Sequence, residues 1–395
     1  MENKMTNLPQ GWEVKTLSEI GEIITGSTPS KSNVEFYRKD YPFFKPSDFE
    51  QGYFLENAGD NLSKLGFGKA RQLPPKTILV VCIGSLGKVA LTRVIESCNQ
   101  QINAIIPHKN IISEYIYYYC ISSKFQSILF SKAPQTTLAI FNKTEFSKLE
   151  IIYPKDIKEQ ERIVGILDFA FSKIDENIKK AKENLANIDE LMQSALQKAF
   201  NPLKDNAKEN YKLPQSWEWK SLEEISENIS AGGDKPKNCT ESKTAKNQIP
   251  VYANGVNNNG LVGYTDKATI IKPSLTISAR GTIGFVCIRK EPYFPIVRLI
   301  SLIPCENILC LHYLYFCLNF FIAKGEGSSI PQLTIPKFKS LQIPLPPLKE
   351  QEQIAEHLDF VFEKAKALKE LYTKELKDYE ELKQSLLNKA FKGEL

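Results

Sequence analysis

The side chains that could make or break bonds in this sequence form only incomplete sets. Two Glu-Xaa-Lys triplets, Glu13-Val14-Lys15 and Glu218-Trp219-Lys220, place a carboxylate and an amine as some nuclease strands do. No suitably spaced upstream acid completes a metal site at either, so both read as exposed charges on an opening strand. Cys305, Cys310, His312 and Cys317 share one segment, yet no CxxC pair or Cys/His set has zinc-ligand spacing. No GxxxxGK[ST] loop is present, and Gly66-Phe67-Gly68 lacks the third glycine of a dinucleotide fingerprint. His108, His312 and His357 are too scattered for a Ser-His-Asp or Cys-His triad. There is no Asn/Asp-Pro-Pro-aromatic tetrapeptide to hold a flipped base, and Asn201-Pro202-Leu203 reads as a helix terminator. The chain is expected to catalyse nothing by itself and to need no metal.

What such a chain can do is bind, and its organisation indicates how. At 395 residues it favours two or more cores over one, and 42% hydrophobic with 25% charged residues is the composition of a globular protein. The start, MENKMTNLPQ, lacks the apolar run of a secretory signal, and no stretch reaches the roughly 18 apolar residues of a membrane span. A cytoplasmic location is expected. Most of the eight cysteines sit in apolar runs such as ILVVCIG, which suits reduced, buried thiols.

The chain repeats itself. LPQGWEVKTL from Leu8 returns as LPQSWEWKSL from Leu213, and KEQERIVGILDF from Lys158 returns as KEQEQIAEHLDF from Lys349. Ala199-Phe200 falls on Ala390-Phe391, and Ile83-Gly84-Ser85-Leu86-Gly87 on Arg280-Gly281-Thr282-Ile283-Gly284, so the offset shrinks along the chain and the first copy carries insertions. The expected domains are a globular segment over 1–156, a long helix over 157–200, a linker over 201–212, a second globular segment over 213–348 and a second long helix over 349–392. Each globular segment alternates short β-type runs (ILVVCI, INAII, LTISA, FVCIR, LISLI) with turns and one aromatic helical stretch, SEYIYYYCISSKFQSILF or LHYLYFCLNFFIAK. The fold class is therefore α+β: two similar mixed α/β globular domains joined by two long helices, with an internal pseudo-two-fold repeat.

The segments after Lys158 and Lys349 are rich in Glu, Lys, Leu and Ala and free of internal proline. In the first, Phe171, Ile174, Ile178, Ala181, Leu185, Ile188, Met192, Ala195 and Ala199 follow heptad spacing. The equivalent positions of the second include Lys369 and Lys383, so its seam is expected one step round, through Leu358, Val361, Ala365, Leu368, Tyr372, Tyr379, Leu382 and Leu386, with Glu375 interrupting. A continuous helix over 157–200 spans about 66 Å, whereas a linker of 201–212 reaches at most about 42 Å. The linker cannot run back along the helix. An antiparallel coiled coil with a globular domain at each end is the expected closure.

Charge divides along the same boundaries. Residues 1–156 carry 18 Lys/Arg against 15 Asp/Glu and residues 211–348 carry 15 against 10, while 157–210 hold 9 against 10 and 349–395 hold 9 against 11. Positive charge thus sits in the globular segments, as expected if these approach phosphates and the helices approach something else.

The two motifs, LPxxW opening a domain and KEQERI or KEQEQI opening a long helix, each present twice and in order, resemble the type I restriction-modification specificity (S) subunits over nearly the whole chain. The resemblance implies a non-catalytic DNA reader. Each globular segment would be a target recognition domain for one half of a split DNA sequence, and the helix pair would set the gap and dock methylation (M) subunits, two being expected. Two restriction (R) subunits would join that core, and S-adenosylmethionine, ATP and Mg belong to those partners. Base-contacting loops do not carry over by motif, so polar positions next to glycine turns are the candidates. They are Lys45, Ser47, Lys69, Arg71, Ser85, Lys88, Gln100, Gln101, Thr136 and Thr137 in the first domain, and Asn254, Asn257, Asn258, Tyr264, Arg280, Thr282, Arg298, Ser328 and Ser329 in the second. Arg, Lys, Asn and Gln have donor and acceptor geometry for base edges, and Gly lets the backbone approach phosphate. The alternative is a coiled-coil scaffold whose two domains bind proteins or carbohydrates.

Overall fold

The computed structural model of the chain describes residues 8–132, 140–200, 214–322 and 333–395. The chain divides into two compact units, Met1–Ala181 with Lys374–Leu395, and Lys182–Thr373, so each unit holds one globular domain and a stretch of both long helices.

In the first unit, the LPQGW stretch leads into strand Trp12–Thr16, which pairs antiparallel with Glu150–Pro154, the strand that ends just before the long helix. Leu17 then opens a single helical turn in which the Thr16 backbone N–H donates to Glu19 Oε2 at 2.8 Å, and Leu17 itself is fully buried. A five-stranded sheet follows, in the order Gly21–Thr25, Ile102–Pro107, Ile78–Val81, Val89–Thr92, Phe54–Leu55, beside a three-stranded sheet ordered Asp60–Leu62, Tyr41–Phe44, Ser97–Cys98. The unbroken apolar run Ile78-Leu79-Val80-Val81 is buried on both faces because successive side chains of a strand point opposite ways. Ile78 and Val80 belong to the same core as Tyr115 and Tyr119 of the aromatic helix Ser113–Ile121, while Leu79 and Val81 belong to a second core with Phe44 and Leu73.

The second unit repeats this plan. Strand Glu218–Ser221 pairs with Gln342–Leu345, and Ser221 with Glu224 caps the turn that starts at the buried Leu222. The sheets run Ser226–Ala231, Ile300–Pro304, Ser274–Ile277, Val286–Arg289, and Leu261–Thr265, Ile249–Tyr252, Phe294–Pro295. Strand for strand the order is that of the first domain, except that the edge strand Phe54–Leu55 has no counterpart among the described residues. That edge strand belongs to the longer first copy. Aromatic helix Leu311–Phe321 buries Tyr313, Phe316 and Phe320 beneath its sheet.

The long helices run unbroken over Ile157–Phe200 and Leu348–Ala390. Within the first unit Lys383 Nζ meets Asp175 Oδ1 at 2.6 Å. Within the second, Lys369 pairs with Asp189, and Asn184 Nδ2 donates to Tyr372 Oη at 3.1 Å. Rising numbers on one helix meet falling numbers on the other, so the helices pair antiparallel. Phe171, Ile174, Ile178, Leu185 and Ile188 of the first helix are buried or half-buried, as are Leu358, Val361, Tyr372 and Tyr379 of the second.

The expected seam of the second helix needs a correction. Leu368 and Leu382 are 42% and 45% exposed. Lys369 and Lys383 occupy the seam-equivalent positions instead, each half-buried and ending on an aspartate of the first helix. An ion pair across the seam let lysine stand where periodicity demanded an apolar residue.

Each domain also takes the end of a long helix into its core. Phe391 packs edge-on to Tyr115 and Tyr119 at ring-centroid distances of 5.4 and 5.0 Å, and Phe200 packs against Tyr313 and Phe320 at 5.7 and 5.5 Å. This is what the repeated Ala-Phe helix ending does.

Candidate nucleic-acid interface

In the first domain four connections converge at one end of the five-stranded sheet. Gly26 and Ser27 donate backbone N–H groups to Ile102 O and Cys98 O, each at 2.9 Å. A Cβ on Gly26 would lie 2.2 Å from Asn99 O, so only glycine permits that approach. The Arg71 backbone N–H donates to Ser27 Oγ at 3.0 Å and its guanidinium to Thr25 O. Thr28 Oγ1 donates to Gln100 Oε1 at 2.6 Å. Asn99 Nδ2 donates to Gln101 Oε1 at 2.7 Å, and Gln101 Nε2 to Ile83 O at 3.3 Å. Arg71, Gln100 and Gln101 are thereby gathered with the exposed Ser85 on the Ile83–Gly87 turn, and exposed Lys69 stands two residues before Arg71.

Lys45 adjoins this end, because Asn99 N–H donates to Phe44 O at 3.1 Å, but its ammonium pairs with Asp60. Ser47 is exposed on the short helix Pro46–Gln51. Lys88 is engaged elsewhere. It pairs with Glu50 and lines a cleft of about 770 Å³ with Tyr53, Tyr117, Asp168 and Lys383, against the long helices. Thr136 and Thr137 lie outside the described residues.

The second domain gathers its loops around Asn254. Asn254 Oδ1 accepts from the Ala279 backbone N–H at 2.8 Å and its Nδ2 donates to Val297 O at 2.6 Å. That single amide ties three loops together: the one holding Asn257 and Asn258, the one holding Arg280 and Thr282, and the one holding Arg298. Asn254 is a brace more than a reader. Asn257, Asn258, Arg280, Thr282 and Arg298 are exposed, and Asn258, Asn259 and Arg298 adopt left-handed φ of 48°, 51° and 59°. Tyr264 sits apart on strand Leu261–Thr265, its backbone paired with Thr240. Ser328 and Ser329 lie outside the described residues.

Two contributors escaped the sequence reading. Arg289, only 9% exposed, donates from Nε to Thr276 Oγ1 at 3.0 Å and from its guanidinium to Asn259 O, with its charge 3.6 Å above the Tyr252 ring centroid. It holds the Asn257–Gly260 turn from below. Its signal was faint, an arginine at the end of the strand run FVCIR. The bridge between Gly233 and Ile296 brings exposed Asp234, Lys235 and Lys237 beside the Arg298 loop. The Gly232-Gly233 pair preceding two lysines could have flagged them.

The candidate chemistry sets resolve into structural roles. Glu13 accepts from Tyr153 Oη, which holds its carboxyl below the ordinary range, and it also faces Lys15 and Lys155. Glu218 meets Lys220 at 3.4 Å. His312 Nδ1 lies 2.6 Å from Asp359 Oδ2, and no group of three metal-ligating side chains occurs among the described residues. All eight cysteines are free: Cys82, Cys98, Cys120 and Cys317 are buried, the other four half-buried. Burial pushes the Cys82 thiol up to about 12, far from the range of a nucleophile. Among the described residues no helix is long and apolar enough to cross a membrane.

Two domains of one topology, each with a braced cluster of polar and basic loops and each packed with a stretch of both antiparallel helices, make the chain an internal duplication. A family model described as the type I restriction modification DNA specificity domain matches residues 9–187 and again 214–377, and the chain belongs to this family. It is 39% identical over 176 residues, 43% of this chain but only 38% of the relative, to the type I restriction enzyme HindI specificity subunit of Haemophilus influenzae. It is 24% identical over 398 residues, 92% of this chain and 89% of the relative, to the type I restriction enzyme MjaIX specificity subunit of Methanocaldococcus jannaschii. Two solved structures share the fold. One is a chain from work on complex assembly and conformational transition of the type I R-M system, with TM-score 0.81 and 20% identity over 99% of this chain and all of the other. The other is the HsdS subunit of Thermoanaerobacter tengcongensis, with TM-score 0.59 and 21% identity over the full length of both.

Proposed function

We propose that this chain is the sequence-reading subunit of a type I restriction-modification complex, non-catalytic in itself, whose two domains each read one half of a split double-stranded DNA target. The observation that carries this is the duplication of one scaffold with two different loop sets. Arg71, Gln100 and Gln101 crown the first copy, and Arg280, Thr282, Arg298 and the Asn257–Asn258 turn crown the second. A protein that needed to recognise one thing twice would repeat the loops as well. The helices leave the bases between the half-sites unread, and their length sets that gap.

Two methylation subunits dock on the helix pair and two restriction subunits join them. Supporting this is the repeated exposure of Phe169 and Phe360, and of Leu191 and Leu382, at corresponding positions of the two helices. S-adenosylmethionine, ATP and Mg are bound by those partners and none by this chain, and the assembly works in the cytoplasm, where its DNA is. Genome-wide detection of modified bases in the host, with and without this gene, tests the reading. A split motif that vanishes on deletion is the expected result, and an unaltered modification pattern contradicts it.

A further inference from the structure

The first turn of each long helix contains a buried glutamine that joins three parts of its unit. Gln160 is fully buried. Its Oε1 accepts from the Ile112 backbone N–H at 2.9 Å, and its Nε2 donates to Pro154 O at 2.9 Å and to Asn110 O at 3.3 Å. Gln351 is likewise fully buried. Its Oε1 accepts from the Cys310 backbone N–H at 2.9 Å, and its Nε2 donates to Pro346 O at 2.8 Å and to Ile308 O at 2.9 Å. Ile112 and Cys310 are the N-cap residues of the two aromatic helices. Pro154 ends the strand that pairs with the opening strand, and Pro346 directly follows its counterpart. One planar amide therefore fastens the start of the aromatic helix, the exit of the last strand and the fourth residue of the long helix to each other.

No other side chain fills this role. Glutamate would turn an oxygen toward two carbonyl oxygens, asparagine is one methylene short, and an apolar residue takes the partner from one N–H and two C=O groups, of which the buried Pro154 or Pro346 carbonyl would lose about 1–3 kcal/mol. Those three groups are directional and lie at the start of the aromatic helix, in the turn before it and at the exit of the last strand, so the amide constrains the angle at which the helix leaves its domain.

We infer that Gln160 and Gln351 are positioning residues for DNA reading. They touch no DNA, but they set the orientation of each reading face relative to its helix, and hence the half-site spacing the chain accepts. This rests on the reading of the chain as a two-headed DNA binder. The test uses the full chain assembled with its methylation subunits, and a set of DNA targets in which the gap between half-sites is lengthened or shortened one base pair at a time. Wild-type protein methylates one gap length. Gln160→Met and Gln351→Met are each expected to methylate the neighbouring gap lengths nearly as well, cutting the discrimination about tenfold, which corresponds to about 1.4 kcal/mol, while affinity for a single half-site stays within about twofold.

Two controls keep the outcome unambiguous. Leu129→Ala, in the core of the same domain, lowers stability without touching the amide, and its gap discrimination should stay that of wild type. If Gln160→Met fails to fold, Gln160→Ala replaces it, because the space it vacates can admit water to the freed groups. Variants that keep wild-type discrimination overturn this inference alone. Wild-type protein that is indifferent to the gap overturns the two-headed reading with it.

Discussion

The two globular domains share their framework and differ in what the framework presents. Sheet order, the capped turn after the opening strand, the aromatic helix and the buried glutamine recur in both. The loops do not. In the first domain the polar cluster is built on a glycine approach at Gly26 and on Arg71 anchored to Thr25 and Ser27. In the second it is built on Asn254 and on Arg289 buried beneath left-handed asparagines. Duplicated backbone with unduplicated loops separates what holds the domain together from what it recognises.

The shared part carries the largest expected effects. Phe391→Ala and Phe200→Ala each remove an aromatic ring from a domain core and should each cost about 3–5 kcal/mol. Urea unfolding should show Phe391→Ala weakening the unit that contains Tyr115, and Phe200→Ala the unit that contains Tyr313. Equal loss in both units would mean that the helix ends do not belong to separate cores.

Next come the loops. Arg71→Ala should weaken binding of the cognate target by about 1–3 kcal/mol and lower the salt slope by about 1, whereas Lys88→Ala, whose ammonium faces Glu50, should leave both unchanged. Binding titrations at several salt concentrations decide this, and a uniformly shallow slope in wild-type protein would favour the scaffold alternative.

A smaller contrast lies under the sheets. The bridge between Leu73 and Glu96 in the first domain corresponds to that between Ile270 and Tyr293 in the second. Tyr293 Oη lies 2.9 Å from Ser274 Oγ, but both Glu96 carboxyl oxygens are buried without a partner, and burial holds this carboxyl well above the ordinary range. Its folded state keeps a proton that the unfolded state releases, so the associated stability is present below the ordinary carboxylate range and is lost as pH rises toward the raised value. Glu96→Gln should therefore stabilise the first domain more at pH 8 than at pH 4. Unfolding measured at both pH values checks it, and an equal effect at both would show the carboxyl to be solvated.

The smallest effects belong to the ion pairs across the helices. Asp175→Ala should cost about 1 kcal/mol and Asp189→Ala less, because the Lys383 side chain is 15% exposed and that of Lys369 33%. Thermal melts of the two variants rank them.

Much of this was written in the sequence. The repeated LPxxW and KEQE stretches lie at the two opening strands and at the first turns of the two long helices, because a capped turn, a buried leucine and an amide clamp each require particular residue types at fixed spacing. The apolar period of the first long helix was legible for the same reason. The second was misread at Leu368 and Leu382, since periodicity alone does not reveal that a lysine can lie in a seam when an aspartate waits on the facing helix. The loop clusters were legible only as composition. Which polar side chain braces a loop and which faces outward depends on contacts between residues far apart in sequence, as Asn254 with Ala279 and Val297 shows.

If the paired helices set the gap between half-sites, as proposed, shortening both must shorten that gap. Removing one heptad from each helix in register, residues 179–185 with 373–379, keeps the flanking pairs Asp175 with Lys383 and Asp189 with Lys369. Each helix shortens by about 10 Å, roughly three base pairs of DNA. Sequencing of modified bases in cells carrying this variant should return both half-sites unchanged with the gap between them reduced by about three base pairs. Unchanged half-sites at an unchanged gap would contradict the account.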